Sequence, residues 1–275
     1  MKKVKSGIKG VIIFLICVLE VYPLFWMLTA SLKQQHEWSD NPAYALNEGF
    51  YFENYVDAWT RGNMSTYFLN SLICTVVSLL FIVIFATTVG FAVTKMKWKM
   101  KDTVAKIFSL GIMIPVATCL IPLFQIYNRT GLLNTRICLI ITYIAFGLSL
   151  SIYLVQGYLR SFPDDIMEAA VIDGCGIYKM MWHIVVPLMK NAIVTVLVLQ
   201  FFFKWNDLLF SMTFISDSSL KTVQTGLLYF SDEFGNKNWG AIFASVSMSV
   251  FPMLLVYMGL NKKVMEGMTA GAVKG

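Results

Sequence analysis

The sequence predicts an all-α integral membrane protein with six transmembrane helices, one long cytoplasmic loop and both termini in the cytoplasm. Three observations lead there. The 275 residues are 57% hydrophobic and only 14% charged, where a soluble domain carries about 25% charged residues. Six apolar stretches each approach the ~20 residues that a helix needs to cross ~30 Å of hydrocarbon. The basic residues gather at the ends of those stretches rather than on one face. That distribution sets orientation at a membrane, and it argues against a nucleic-acid partner despite the formal charge of +6.

The stretches run over 10–30, 67–94, 105–127, 135–157, 191–214 and 240–260. Backbone amides find no water in a bilayer, so helices are the expected spanning form. Lys2, Lys3, Lys5 and Lys9 precede the first stretch like the start of a signal peptide. The apolar run is too long for one and no small-residue cleavage site follows, so an uncleaved signal anchor is expected. With the N-terminus inside, 15 of the 22 basic residues fall in cytoplasmic segments and 6 in outer ones, with Lys204 inside a span. That imbalance places both termini in the cytoplasm.

Two outer loops are long, 31–66 and 215–239. The first carries Trp38, Tyr44, Phe50, Tyr51, Phe52, Tyr55 and Trp59, with a short helix expected around 53–59. Its aromatics suit either an interfacial belt or a docking surface. The five cysteines are scattered without a Cys-x-x-Cys, and His36 and His183 lie far apart. Neither a disulfide framework nor a metal site is expected, and the cysteines read as small hydrophobes.

The inner loop, 158–190, is the most informative segment. Pro163 can open a helix, because its missing N–H would be unpaired there anyway. Asp164, Asp165 and Glu168 place negative charge in the first turns, and Gly174 and Gly176 can end the helix. A helix over 163–173 is predicted. At 100° per residue, Ile166, Met167, Ala170 and Val171 share a side suited to packing, and Asp165, Glu168, Ala169, Ile172 and Asp173 share the other. Tyr178 to Ile184 resume helical spacing, and Pro187 marks a bend into the fifth span. On these grounds alone the segment is a polar helical elbow on the cytoplasmic surface. It is either a docking face or a plain connector.

The pattern Glu168-Ala169-Ala170, three residues, Gly174, nine residues, Ile184, then Pro187 resembles the signature loop of permease subunits of ATP-binding-cassette importers. Val186 stands where that loop usually has Leu. Further likenesses cover nearly the whole chain, so 1–275 is expected to be one transmembrane permease domain. They include Pro23-Leu24-Phe25-Trp26, Ser31-Leu32-Lys33, Asn54-Tyr55, Asn70-Ser71, Ile121-Pro122-Leu123-Phe124 and Gly131-Leu132-Leu133-Asn134-Thr135. Trp205-Asn206 and the tail from Thr269 to Gly275 complete them. The branch resembled is that of maltose-type, multiple-sugar importers.

The resemblance implies that the loop is a coupling helix seated on an ATPase subunit, with Glu168, Ala169, Ala170, Asp173, Gly174, Ile184 and Pro187 as its functional residues. Glu168 would order the loop or contact the ATPase; simple stabilisation of a helix N-terminus is the alternative. The partners implied are a cytoplasmic ATPase dimer, a second homologous permease and an extracellular sugar-binding protein, all at a bacterial cytoplasmic membrane. No Gly-x-x-x-x-Gly-Lys-Ser/Thr occurs, so no catalytic residue or cofactor is expected in this chain, and ATP and Mg would be held by the partner. The tail from Thr269, small and expected to be flexible, would touch the ATPase interface or remain a free end.

Ionisable groups within spans need a reason. Trp205, Asn206 and Asp207, with Gln125, offer aromatic and hydrogen-bonding groups for a transient sugar site. Alternatively Lys204 and Asp207, three apart on a helix, satisfy each other while Trp205 and Asn206 pack between helices. Glu20 suits a hydrogen bond to a neighbouring helix. An ion-coupled secondary transporter would need deep carboxylates, for which only Glu20 and Asp207 are candidates, and a non-sugar solute would fit the same importer architecture.

Overall fold

A computed structural model describes residues 2–42, 44–233 and 238–272, with side chains for 9–42, 44–228 and 238–263. The outer Lys237 and the tail residues Val273, Lys274 and Gly275 lie outside the described residues. All regular structure among the described residues is helical. The elements used below are α1 (Lys2–Ala30), α2 (Glu53–Thr60), α3 (Met64–Lys95), α4 (Lys101–Gly111), α5 (Val116–Thr130), α6 (Arg136–Arg160), α7 (Asp164–Ile172), α8 (Ile177–Leu188), α9 (Lys190–Trp205), α10 (Leu209–Phe214), α11 (Val223–Glu233) and α12 (Trp239–Ala272). The backbone of the tail continues α12 as far as Ala272, where a flexible end was expected. No proline follows Lys263, and the helix runs through Gly267 and Gly271.

Four helices are long and apolar enough to span: Lys9–Ala30, Met64–Lys95, Arg136–Arg160 and Trp239–Lys263. They match the first, second, fourth and sixth apolar stretches. The third stretch, expected as a continuous helix, is broken between Gly111 and Val116, and the fifth is interrupted at 206–208. The pair α4 and α5 bends by 99°, and the pair α8 and α9 by 76°. Pro115 explains the first break: it caps α5 in extended conformation, at φ −65° and ψ 127°, and gives its neighbour no N–H. The second bend falls at Met189, two residues past Pro187, where a bend into the fifth span was expected, and follows a π-helical turn over Met181–Val185. Counting each bent pair as one span gives up to six crossings.

Contacts group the chain into two compact units, one of Met1–Ser65 with Gly226–Pro252, the other of Thr66–Thr225 with Met253–Gly275. In the first unit, α1 turns its apolar side chains outward from Val11 to Leu28. That is the pattern of a helix solvated by lipid. The chain beyond α1 is held by Asn54 of α2, whose Nδ2 donates to Ser31 O at 2.9 Å and to Lys33 O at 2.8 Å. Gly240 leaves room for this amide, which an added Cβ would overlap. Glu37, buried, accepts from the Gln34 and Glu48 amides at 2.7 and 2.8 Å. Trp38 stacks on Phe243 at 5.3 Å, and Lys33 Nζ lies 4.9 Å from the Trp38 ring. The outer aromatics therefore divide, with Trp38 half-buried against Phe243 while Tyr44, Phe50 and Phe52 stay exposed.

The second unit repeats the clamp. Asn70 Nδ2 donates to Ser219 O and to Lys221 O, both at 2.9 Å, and Arg136 Nε donates to its Oδ1 at 2.8 Å. Ser71 Oγ accepts from Val223 N at 2.9 Å. Each asparagine thus holds a Ser-Leu-Lys segment, 31–33 or 219–221, by the two outer carbonyls. Helices α3 and α6 approach closely at Gly90 and Gly147, where an added Cβ would overlap Val155 or Ile82; small residues serve this role in membranes. Gly131, at φ 67°, ends α5. Asn134 Oδ1 accepts from Ser216 N and Asp217 N at 2.6 and 3.0 Å, and Thr135 caps α6 through Cys138 N.

Asn54→Leu leaves the Ser31 and Lys33 carbonyls without their side-chain donor. At about 1–3 kcal/mol for each unpaired buried group, the purified chain in detergent should melt at a clearly lower temperature, whereas Asn47→Ala, at an exposed turn, should not shift the midpoint.

Candidate functional site

The elbow forms as a two-turn helix with both ends tied. Its start is fixed from outside: Lys95, the last residue of α3, donates through Nζ to Asp164 Oδ1 at 2.6 Å and to Phe162 O at 2.8 Å. Pro163 precedes the helix in extended conformation, at φ −60° and ψ 130°. Its end is closed by two reverse bonds, Gly174 N to Val171 O at 3.0 Å and Cys175 N to Ala170 O at 2.9 Å, with Gly174 at φ +73°. This pairing satisfies the last carbonyls and needs a left-handed residue, which glycine supplies. A Cβ at Gly174 would meet nothing within 4 Å, so conformation rather than space selects glycine there.

The packed side of α7 is narrower than expected. Ala170 is buried and Met167 half-buried in one core with Phe91 of α3, Leu159 of α6 and Met180, Met181 and Val185 of α8. Ile166 and Val171, expected to pack, are 38% and 62% exposed. Ile172 is 85% exposed and Tyr178 78%. Ala169, Glu168 and Asp173 are exposed beside them, and Glu168 forms no ion pair among the described residues. Ile184 packs half-buried on the core within the π-helical turn, and Pro187 is exposed.

A second constellation surrounds a cavity of about 560 Å³ where α4, α5, α6 and α9 meet. Asn206 and Asp207 line it, as expected, together with Tyr143, Ser149, Gln200, Lys204 and the rings of Phe146, Phe203 and Phe210. Trp205 does not: it is buried, stacked on Phe201 at 5.6 Å and edge-on to Phe68 at 5.2 Å. Gln125 lies exposed on α5, outside the lining. The helix that should have joined Lys204 to Asp207 stops at Trp205. Asp207 instead accepts from Phe210 N at 3.1 Å, Ser211 N at 3.0 Å and Tyr143 OH at 2.8 Å, so it opens α10. No Lys204–Asp207 ion pair within 4 Å forms; Lys204 Nζ lies 5.5 Å from the Tyr143 ring. The expected pairing of these two residues is therefore replaced by a cap on one and an aromatic face for the other.

Gln200 was missed from the sequence. Its Nε2 donates to Gly147 O and Ser151 Oγ, at 3.1 and 3.0 Å, while its buried Oε1 has no partner. A signal existed, since Gln200 stands four residues before Lys204 and shares its helical face. Tyr143 gave none, because it comes from another helix. The cavity can thus offer an ammonium, amides and aromatic faces to a polar, uncharged molecule.

Comparison with known proteins agrees with the loop. The family described as "Binding-protein-dependent transport system inner membrane component" matches residues 82–268. The "Probable ABC transporter permease protein YurM" of Bacillus subtilis is 30% identical over 96% of this chain and 87% of its own length. The "Melibiose/raffinose/stachyose import permease protein MelC" of the same organism is 30% identical over 92% and 91%. A chain in the "Crystal structure of a bacterial ABC transporter involved in the import of the acidic polysaccharide alginate" superposes with TM-score 0.83 at 20% identity, covering 94% of this chain and 96% of that one. A family match over most of the chain, joined to relatives of this length and identity, makes this protein a member of the binding-protein-dependent transport system inner membrane components, the permease subunits of ABC transporters.

Proposed function

We propose that this chain is the membrane-spanning permease subunit of an ATP-driven importer that receives oligosaccharides or related sugars from an extracellular binding protein. In this reading six crossings place both termini in the cytoplasm, supported by the excess of basic residues on that side. MelC and the alginate system handle carbohydrates by their names, which supports a sugar cargo. The partners are a cytoplasmic ATPase dimer, which holds ATP and Mg, and a second homologous permease.

One observation carries the mechanism. The elbow exposes Ile172, Ala169 and Tyr178 while its start is held by Lys95 of α3 and Ala170 and Met167 join the core of the membrane domain. A free connector needs no such anchoring, whereas a lever does. Force on α7 passes to α3 through Asp164 and Lys95, and to α9 through the packing of Ala170 and Met167 on α8. Closure of the ATPase dimer then rocks the spans between inward-open and outward-open states as rigid bodies. ATP drives the change because it binds one state better than the other. The 560 Å³ cavity is the proposed stopping place for sugar on this subunit, with Asn206, Asp207, Lys204 and Gln200 as hydrogen-bonding groups.

Ala169→Trp should abolish most uptake, by about tenfold or more, while membrane insertion and assembly persist. Its readout is the ratio of sugar uptake to ATP hydrolysis in proteoliposomes of the whole complex, and unchanged uptake removes the docking claim. Gly174→Val should act in the same direction, since a β-branched residue is strained at φ +73°.

Asn206→Ala should raise the KM for uptake roughly three- to tenfold, the worth of one hydrogen bond, with Gln125→Ala as an unaffected control. Asp207→Asn keeps an N-capping side chain and should retain assembly, whereas Asp207→Ala should lose about 1 kcal/mol of stability besides. An unchanged KM in both Asn206→Ala and Asp207→Asn places the sugar elsewhere.

A further inference from the structure

Glu20 breaks the lipid-facing pattern of α1. It lies midway along the 22-residue span Lys9–Ala30. At 1.5 Å per residue that is about 16 Å from either end, at the middle of the hydrocarbon. A side chain with two methylenes cannot carry a carboxyl group from there to either headgroup layer, so an ionisable residue at this depth needs a partner. Glu20 is exposed and makes no hydrogen bond or ion pair among the described residues. The bond to a neighbouring helix expected of it is therefore not made within them. One turn on, Pro23 lies inside the helix and offers no N–H to the Leu19 carbonyl. Two acceptors thus stand together at the bilayer centre, where each needs a donor.

Within its own unit α1 packs near its outer end, where Trp26 meets Phe243 of α12 edge-on at 5.1 Å and Ala30 is buried. Trp26 lies about 120° round the helix from Glu20, and the most apolar part of the span buries no residue. Ile13, Ile16 and Leu24, all exposed, share the Glu20 face. Lipid tails can cover those three but hold no donor, so the cover over Glu20 is protein. A second copy of this chain docked through the same face would set Glu20 against Glu20, acceptor on acceptor. The occupant is therefore a different subunit. We propose that Glu20 is the midplane anchor of the interface with the second permease, which brings a side-chain hydrogen-bond donor to the Glu20 carboxyl while Ile13, Ile16 and Leu24 pack around it. This rests on the importer reading above, which supplies that subunit.

The anchor has a consequence for assembly. Apolar side chains alone do not choose between partners in a bilayer, because lipid tails solvate them equally well. A carboxyl group at the midplane does choose, since a helix without a donor at that level leaves it unpaired. Glu20 therefore selects the second permease over another copy of this chain, and its role is in pairing the subunits rather than in passing solute.

The test uses the complete complex, purified through a tag on this chain, with the co-purified permease identified by mass spectrometry. Glu20→Leu favours insertion, yet it should weaken association with the second permease roughly three- to tenfold, the worth of one hydrogen bond between helices in a membrane. Its readout is the ratio of the two permeases recovered. Glu20→Gln, which keeps an acceptor oxygen, should retain most of the association. Independently of any loss of assembly, a photo-reactive benzoylphenylalanine in place of Leu24 should crosslink the wild-type Glu20 chain to the second permease, whereas the same probe in place of Val18, on the far side of α1, should not. Unchanged association in Glu20→Leu overturns the proposal. So does a Leu24 crosslink to lipid alone or to a second copy of this chain. Lost uptake with association and crosslink intact assigns Glu20 to the solute pathway and overturns it as well. A wild-type complex without ATP-dependent uptake in proteoliposomes sinks the importer reading instead, while the Leu24 crosslink still identifies what covers this face.

Discussion

Hydrocarbon offers no partner to a backbone N–H or C=O, so each place where a helix stops inside or beside the bilayer must be closed by the protein itself. This constraint orders the whole chain. Asn54 and Asn70 each close a pair of carbonyls on a Ser-Leu-Lys segment. Asp207 closes the start of α10 with three accepted bonds. Asn134 closes the amides of Ser216 and Asp217. Gly174 closes the elbow through backbone alone. The polar residues that stand out in an apolar sequence are mostly these closures.

That assignment changes the meaning of several motifs. Asn54-Tyr55, Asn70-Ser71 and Gly131-Leu132-Leu133-Asn134-Thr135 are likenesses to a family when read as sequence. In the structure they are a clamp, a second clamp, and a run in which Gly131 ends one helix and Thr135 caps the next. Asp207 similarly moves from a span's buried charge to a helix cap. Gln200 differs from these: its Oε1 is buried without a partner, as are Trp38 Nε1, Thr75 Oγ1, Thr87 Oγ1 and Gln156 Nε2 among the described residues. An unpartnered buried polar atom is costly.

The elbow joins the two kinds of feature. Its ends obey the closure rule, through Lys95 at one end and Gly174 at the other. Its face breaks the usual burial rule, since Ile172 and Val171 are left in the open. Stability at the ends and exposure on the face are what a lever requires.

The sequence by itself determined the helical class, the position of the apolar runs, the elbow's boundaries to within a residue and the family. Each rests on local rules: run length against bilayer thickness, glycine at a left-handed position, and a fixed spacing. Tertiary structure decided the bend at Pro115, the end of α9 at Trp205, the burial of Trp205, the exclusion of Gln125 and the partner of Asp207. It also decided that Ile166 and Val171 stay exposed while Met167 and Ala170 pack. These outcomes depend on which helix lies opposite, and a side chain's neighbour across space leaves no trace in its own spacing along the chain.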